Sequence, residues 1–80
     1  MEEGRFRFLK SRSFKSAQNK EYYVLCVLDL LDYHVEKIFI NKEAFDLTRD
    51  MAYNDVIDSY ITFVYNSKDE RYKIAFNNNN

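Results

Sequence analysis

The sequence predicts a mainly β domain, with five strands curling into a small Greek-key barrel and one helix between the third and fourth. Three observations lead there. Residues 22–31 (YYVLCVLDLL) are apolar except for Asp29 and consist of Tyr, Val, Leu and Cys, the signature of a strand buried on both faces rather than of an amphipathic helix. Segments on either side of this run alternate apolar and polar with the period of a half-buried strand. Helical periodicity occurs once, over residues 42–51. The central run is ten residues long against a typical ~5 to 6, so it is expected to bend and to pair with different neighbours along its two halves.

In chain order, residues 1–4 read as a frayed start. Residues 5–15 (RFRFLKSRSFK) alternate Phe6 and Phe8 with Arg5 and Arg7, but Leu9 falls on the arginine face, which predicts a bulge near Leu9 or Lys10. Residues 16–20 (SAQNK) supply a polar turn before the central strand. After a short turn at residues 32–34, VEKIFI alternates again. With Ile38 and Ile40 inward, Val35, Lys37 and Phe39 face out.

Asn41 is a good helix N-cap, and Glu43 puts a negative charge in the first turn. Ala44, Leu47, Thr48 and Met51 then form the inward stripe, with Lys42, Asp46, Arg49 and Asp50 outside. Residues 56–65 (VIDSYITFVY) read as the fourth strand, Ile57, Ile61 and Phe63 on one face and Asp58, Tyr60 and Thr62 on the other. A turn at residues 66–70 leads to the fifth strand, RYKIAF, with Tyr72, Ile74 and Phe76 in and Arg71 and Lys73 out. The domain is expected to span residues 1–76, and the asparagines at 77–80 to be a disordered tail.

Eighty residues, 46% of them hydrophobic and 18% aromatic, suffice for one core. A single cysteine excludes an internal disulfide, and Cys26 in mid-strand reads as a small buried apolar residue in a reducing cytosol. No apolar run reaches the ~18 residues that span a bilayer, and residues 1–20 lack the apolar segment of a signal peptide. A soluble, cytoplasmic protein with no membrane partner is expected. The net charge of −1 conceals an asymmetry: residues 1–20 hold six basic and two acidic side chains, a net +4, and residues 21–80 hold six and eleven, a net −5. A basic first strand on an otherwise acidic chain is the mark of a local patch.

The element order β-β-β-α-β-β is that of the OB-fold, a five-stranded barrel with its helix between strands three and four. With its basic-aromatic first strand RFRFLKSRSFK, the second strand beginning EYYVL, VEKIFI running directly into the helix, and DVIDSYITFVY before the last hairpin, the chain resembles small OB-fold single-stranded DNA-binding proteins of phages and mobile elements. The resemblance covers residues 5–76 and is one of element pattern. It implies a non-catalytic protein acting on single-stranded DNA in replication, recombination or transfer, with RNA the alternative ligand. Two departures stand out. The chain has one glycine and no proline, where small barrels use glycine at their corners. Where the family often carries an acidic partner-recruiting tail, this sequence reads NNNN.

Single strands are held by cations along the backbone and by aromatic faces on which bases stack. Candidate cations are Arg5, Arg7, Lys10, Arg12 and Lys15 on the first strand, Lys20 in the first loop, Lys37 on the third strand, and Arg71 and Lys73 on the last. Alternation turns Phe39 and Tyr60 outward as stacking platforms, with Tyr23 and Phe14 behind them. Against this, most aromatics of a β protein pack in its core or across strands, and basic residues on an edge strand also block aggregation.

Asp32, His34 and Glu36 have a spacing that could bind metal on a strand, but they fall in a turn and read as a solvated cluster. No metal or cofactor is expected. With no glycine-rich phosphate loop and no Cys-His or Ser-His-Asp constellation, an enzyme is disfavoured. The alternative function is a phage-type protein-interaction module whose acidic face inhibits or recruits a nucleic-acid enzyme. A strand with an open edge also invites a homodimer.

Overall fold

The computed structural model describes residues 4–68 and 70–77, with the backbone alone at positions 66 and 71–73. The strands are β1 (Phe6–Lys15), β2 (Glu21–Asp29), β3 (His34–Ile40), β4 (Ile61–Asn66) and β5 (Arg71–Phe76), with the helix α1 (Lys42–Thr48) between β3 and β4. The mainly β class and the single helix are as the sequence predicts. Positions 1–3, 69 and 78–80 lie outside the described residues, and with them most of the expected asparagine tail.

Barrel closure is not found. Among the described residues the strands form two antiparallel sheets, β1-β2-β3 and β4-β5. The segment 54–57 that leads toward the second sheet is bonded to the first half of β1: the Asn54 N–H donates to the Phe8 carbonyl at 2.7 Å, the Phe8 N–H to Asp55 O at 2.7 Å, and the Ile57 N–H to Phe6 O at 3.1 Å. On the far side β5 lies beside β3 without a ladder between them. One core nevertheless spans both sheets, with Phe6, Phe8, Leu25, Val27, Ile38, Ala44, Ile57, Ile61 and Phe76 buried together.

Three element ends differ from expectation by two residues or more, and at each a polar side chain takes up backbone groups. The central strand stops at Asp29 rather than continuing to residue 31, because the Asp29 carboxylate accepts the Leu31 N–H at 3.0 Å and bends the chain into a turn. The helix ends at Thr48, not at 51. Asn41 caps its start by accepting the Ala44 N–H at 2.8 Å, and the Thr48 hydroxyl donates to Phe45 O at 2.9 Å where the helix gives way to a turn. Met51 still packs on the core, but Leu47, expected inside, is 49% exposed.

The fourth strand begins at Ile61 instead of residue 56, since Asp58–Tyr60 form a 3-10 turn. That turn brings the Asp58 carboxylate against the chain start, where it accepts the N–H groups of Gly4 at 2.7 Å, Arg5 at 2.9 Å and Phe6 at 2.7 Å. Four non-glycine residues turn corners with left-handed backbone angles: Asn19 and Asn54, φ 65° and 76°, which asparagine tolerates better than most residues, and Tyr33 and Glu70, φ 57° and 53°.

The expected bulge is present. Phe8 pairs with Val27 and Lys10 with Cys26, so Leu9 has no partner of its own in β2. In a regular strand Lys10, Arg12 and Phe14 would follow Phe6 and Phe8 toward the core. The extra residue turns them to the opposite face.

Candidate nucleic-acid interface

The outward face of β1-β2-β3 can be read from its register. One row holds Phe14 and Tyr22, the next Arg12, Val24 and Phe39, and the next Lys10, Cys26 and Lys37. None of these eight positions is acidic. Lys10, Arg12 and Lys37 surround a hollow of about 270 Å³ floored by Val24 and Cys26. Cys26 is buried, as predicted, but faces away from the main core and stands between two lysines.

Beside the cations lies a cluster of rings. Phe14 stacks on Tyr22 with centroids 5.6 Å apart, and Tyr22 meets Phe39 edge-on at 6.4 Å. Phe39 is 71% exposed and Phe14 47%. Such exposure is unusual for Phe, so these rings present free π-faces next to positive charge. Lys20 extends the patch from the first loop, its ammonium 5.6 Å from the Tyr22 centroid. Beyond the rings, where β3 leaves the sheet, a second hollow of about 460 Å³ opens between Tyr22, Phe39 and Asn41.

Of the predicted residues, Lys10, Arg12, Lys20, Lys37 and Phe39 come together here. Four others do not. Arg5 is turned inward, with its Nε and Nη2 donating to the two Asp29 carboxylate oxygens at 2.8 and 2.9 Å and its guanidinium over the rings of Phe6 and Phe63. A carboxylate inside the sheet demands such a partner. The contact holds the Asp29 carboxyl below the ordinary range and the Arg5 guanidinium above its own. Arg7 folds back on the main chain, its Nε donating to Gly4 O at 3.1 Å and Nη1 to Asn54 O at 3.4 Å.

Lys15 sits opposite Glu21, one residue out of step with the outward rows. Tyr60 was expected to face outward but is half-buried, stacked on Phe76 at 5.9 Å, because the 3-10 turn breaks the alternation. The side chains of Arg71 and Lys73 lie outside the described residues. Tyr23 packs on Phe45 of the helix at 4.9 Å, on the face opposite Tyr22.

Tyr22 is the residue that sequence reasoning missed. The run it begins reads as buried on both faces, yet it shares a face with Val24 and Cys26, directly across from Phe14. His34 lies 3.6 Å from Glu36 on the exposed start of β3, and the Asp32 carboxylate accepts the His34 N–H at 3.2 Å as a turn contact. Among the described residues no helix is long and apolar enough to cross a membrane. Compared with models of known protein families, with curated proteins and with solved structures, the chain gives no match.

Proposed function

We propose that this protein binds single-stranded DNA on the outward face of β1-β2-β3, as a non-catalytic module working in replication, recombination or transfer of a phage or mobile element. The observation that carries the reading is the adjacency of two rows on that face. Lys10, Arg12 and Lys37 ring one hollow, and Phe14, Tyr22 and Phe39 form a partly exposed aromatic cluster beside it. Phosphates sit among the cations and release their counterions, while unstacked bases lie on the rings. A duplex keeps its bases stacked and offers the rings nothing. The bulged β1, the long β2 and the position of the helix favour a partly open OB-fold barrel, whose strands two and three and first loop form the ligand face in that architecture.

Titration of labelled oligo(dT) at low salt, read by anisotropy and by quenching of tyrosine emission, tests this. Binding should weaken with salt at a log–log slope of about −2, the value for three neutralised phosphates of a single strand. Lys10→Ala with Lys37→Ala should flatten that slope to about −1. Phe39→Ala should cost roughly tenfold in affinity or more at unchanged slope, since a stacked base is worth about 1 to 3 kcal/mol. No binding at low salt, or equal binding of duplex and single strand, would remove the reading.

A further inference from the structure

We propose that the hollow beyond the rings reads one base of the bound strand and that this base is guanine; the inference rests on the nucleic-acid reading above and adds a sequence preference to it. At about 460 Å³ the hollow is within the ~300 to 1,000 Å³ of small-molecule sites. It exists because β3 turns off into the helix after Ile40, which pairs with Tyr23, while β2 runs on through Tyr22 and Glu21. A base leaving the Tyr22 and Phe39 platform enters this space with its Watson–Crick edge foremost.

The polar groups lining it have a fixed pattern. Glu21 offers a carboxylate, steadied by the Tyr23 hydroxyl, which donates to Oε1 at 2.5 Å. Asn41 has its Oδ1 occupied by the helix cap, accepting the Ala44 N–H at 2.8 Å, which leaves its Nδ2 as a hydrogen-bond donor. Lys42 also lines the hollow, its ammonium held by the Asp46 carboxylate at 3.2 Å, so the hollow presents a two-oxygen acceptor and, facing it, an amide donor and an ammonium.

Guanine is the base whose edge complements that set. Its N1–H and N2–H lie side by side and can be received by the two oxygens of one carboxylate, while its O6 accepts from an amide. Thymine brings a single N–H flanked by two carbonyl oxygens, which a carboxylate repels. Cytosine and adenine bring one amino donor beside a ring-nitrogen lone pair, so one carboxylate oxygen faces another acceptor. Unpaired polar groups against the wrong base are what make such a site selective.

Labelled dT12 is compared with the same oligomer carrying one central dG, dI or dA. The dG oligomer should bind about tenfold tighter than dT12. The dI oligomer, which keeps N1–H and O6 but lacks the 2-amino group, should fall between them, and dA should give no gain. In Glu21→Ala and Glu21→Gln, each checked for the native circular dichroism spectrum, the dG oligomer should lose its advantage over dT12 measured with the same variant. Equal affinity for dG and dT oligomers in the unaltered protein overturns the base preference and leaves strand binding intact. A dG advantage that survives both Glu21 variants overturns the assignment of the site. Failure to bind any oligomer overturns the strand-binding reading itself.

Discussion

Asp58→Ala should destabilise the protein by about 3 kcal/mol or more, the largest loss expected from any single polar side chain here. The carboxylate receives three consecutive main-chain N–H groups, from Gly4, Arg5 and Phe6, at 2.7 to 2.9 Å. Hydrogen bonds to a charged group contribute roughly 1.5 to 3 kcal/mol each, and not additively. Their loss leaves three donors at the entry to β1, directly before the fully buried Phe6 ring. Because domains of this size hold only about 4 to 12 kcal/mol in total, the variant should sit near its unfolding threshold. Asp58→Asn keeps a neutral acceptor and should lose about half as much. Urea denaturation followed by circular dichroism measures both, and an Asp58→Ala loss below 1 kcal/mol would show that the turn holds β1 by packing alone.

Second in expected size is Arg5→Met, at about 3 kcal/mol near neutral pH. Methionine keeps an apolar stem over Phe6 and Phe63 but leaves Asp29, 5% exposed, as an uncompensated charge within the sheet, and breaking such a pair from one side is costly. The sign of the pH dependence follows from the lowered Asp29 carboxyl, whose first cause is the hydrogen bond from Arg5. In the unaltered protein this group contributes stability that is complete above the unfolded carboxyl value of ~3.9 and is lost as pH falls through the lower folded value. Without Arg5 that lowering disappears and burial favours the protonated acid, so Arg5→Met should lose less relative to the parent at pH 4 than at pH 7. Urea midpoints at the two values test it. A gap that widens toward acid would contradict the role assigned to the pair.

Much of the candidate interface was legible because it depends on short-range alternation. VEKIFI alone places Lys37 and Phe39 on the outside, and the misfit of Leu9 in the first strand locates the bulge that turns Lys10, Arg12 and Phe14 outward. What the sequence reading misplaced depends on contacts between distant segments. Arg5 looked like one more groove cation, yet it is committed to Asp29, 24 residues away. The available signal was the lone carboxylate in an apolar run, which calls for a cation. Tyr60 was turned outward by extending alternation through Asp58, whose attachment to residues 4–6 converts that stretch into a 3-10 turn. Closure of the barrel required ladders between β3 and β5 and between β4 and β1, and periodicity within each strand carries no information about whether two strands join.

Leu9 also gives β1 one residue of slack. Deleting it leaves Lys10 opposite Cys26, Arg12 opposite Val24 and Phe14 opposite Tyr22, so the outward face keeps every cross-strand neighbour. Deleting Ser11 instead draws the slack in: Arg12 and Phe14 can hold their places only if Lys10 swings beneath the sheet toward Leu25. Equal shortening at positions two residues apart should therefore have opposite outcomes, one chain folded with its outward face in register, the other forced to choose between a buried ammonium and a shifted strand.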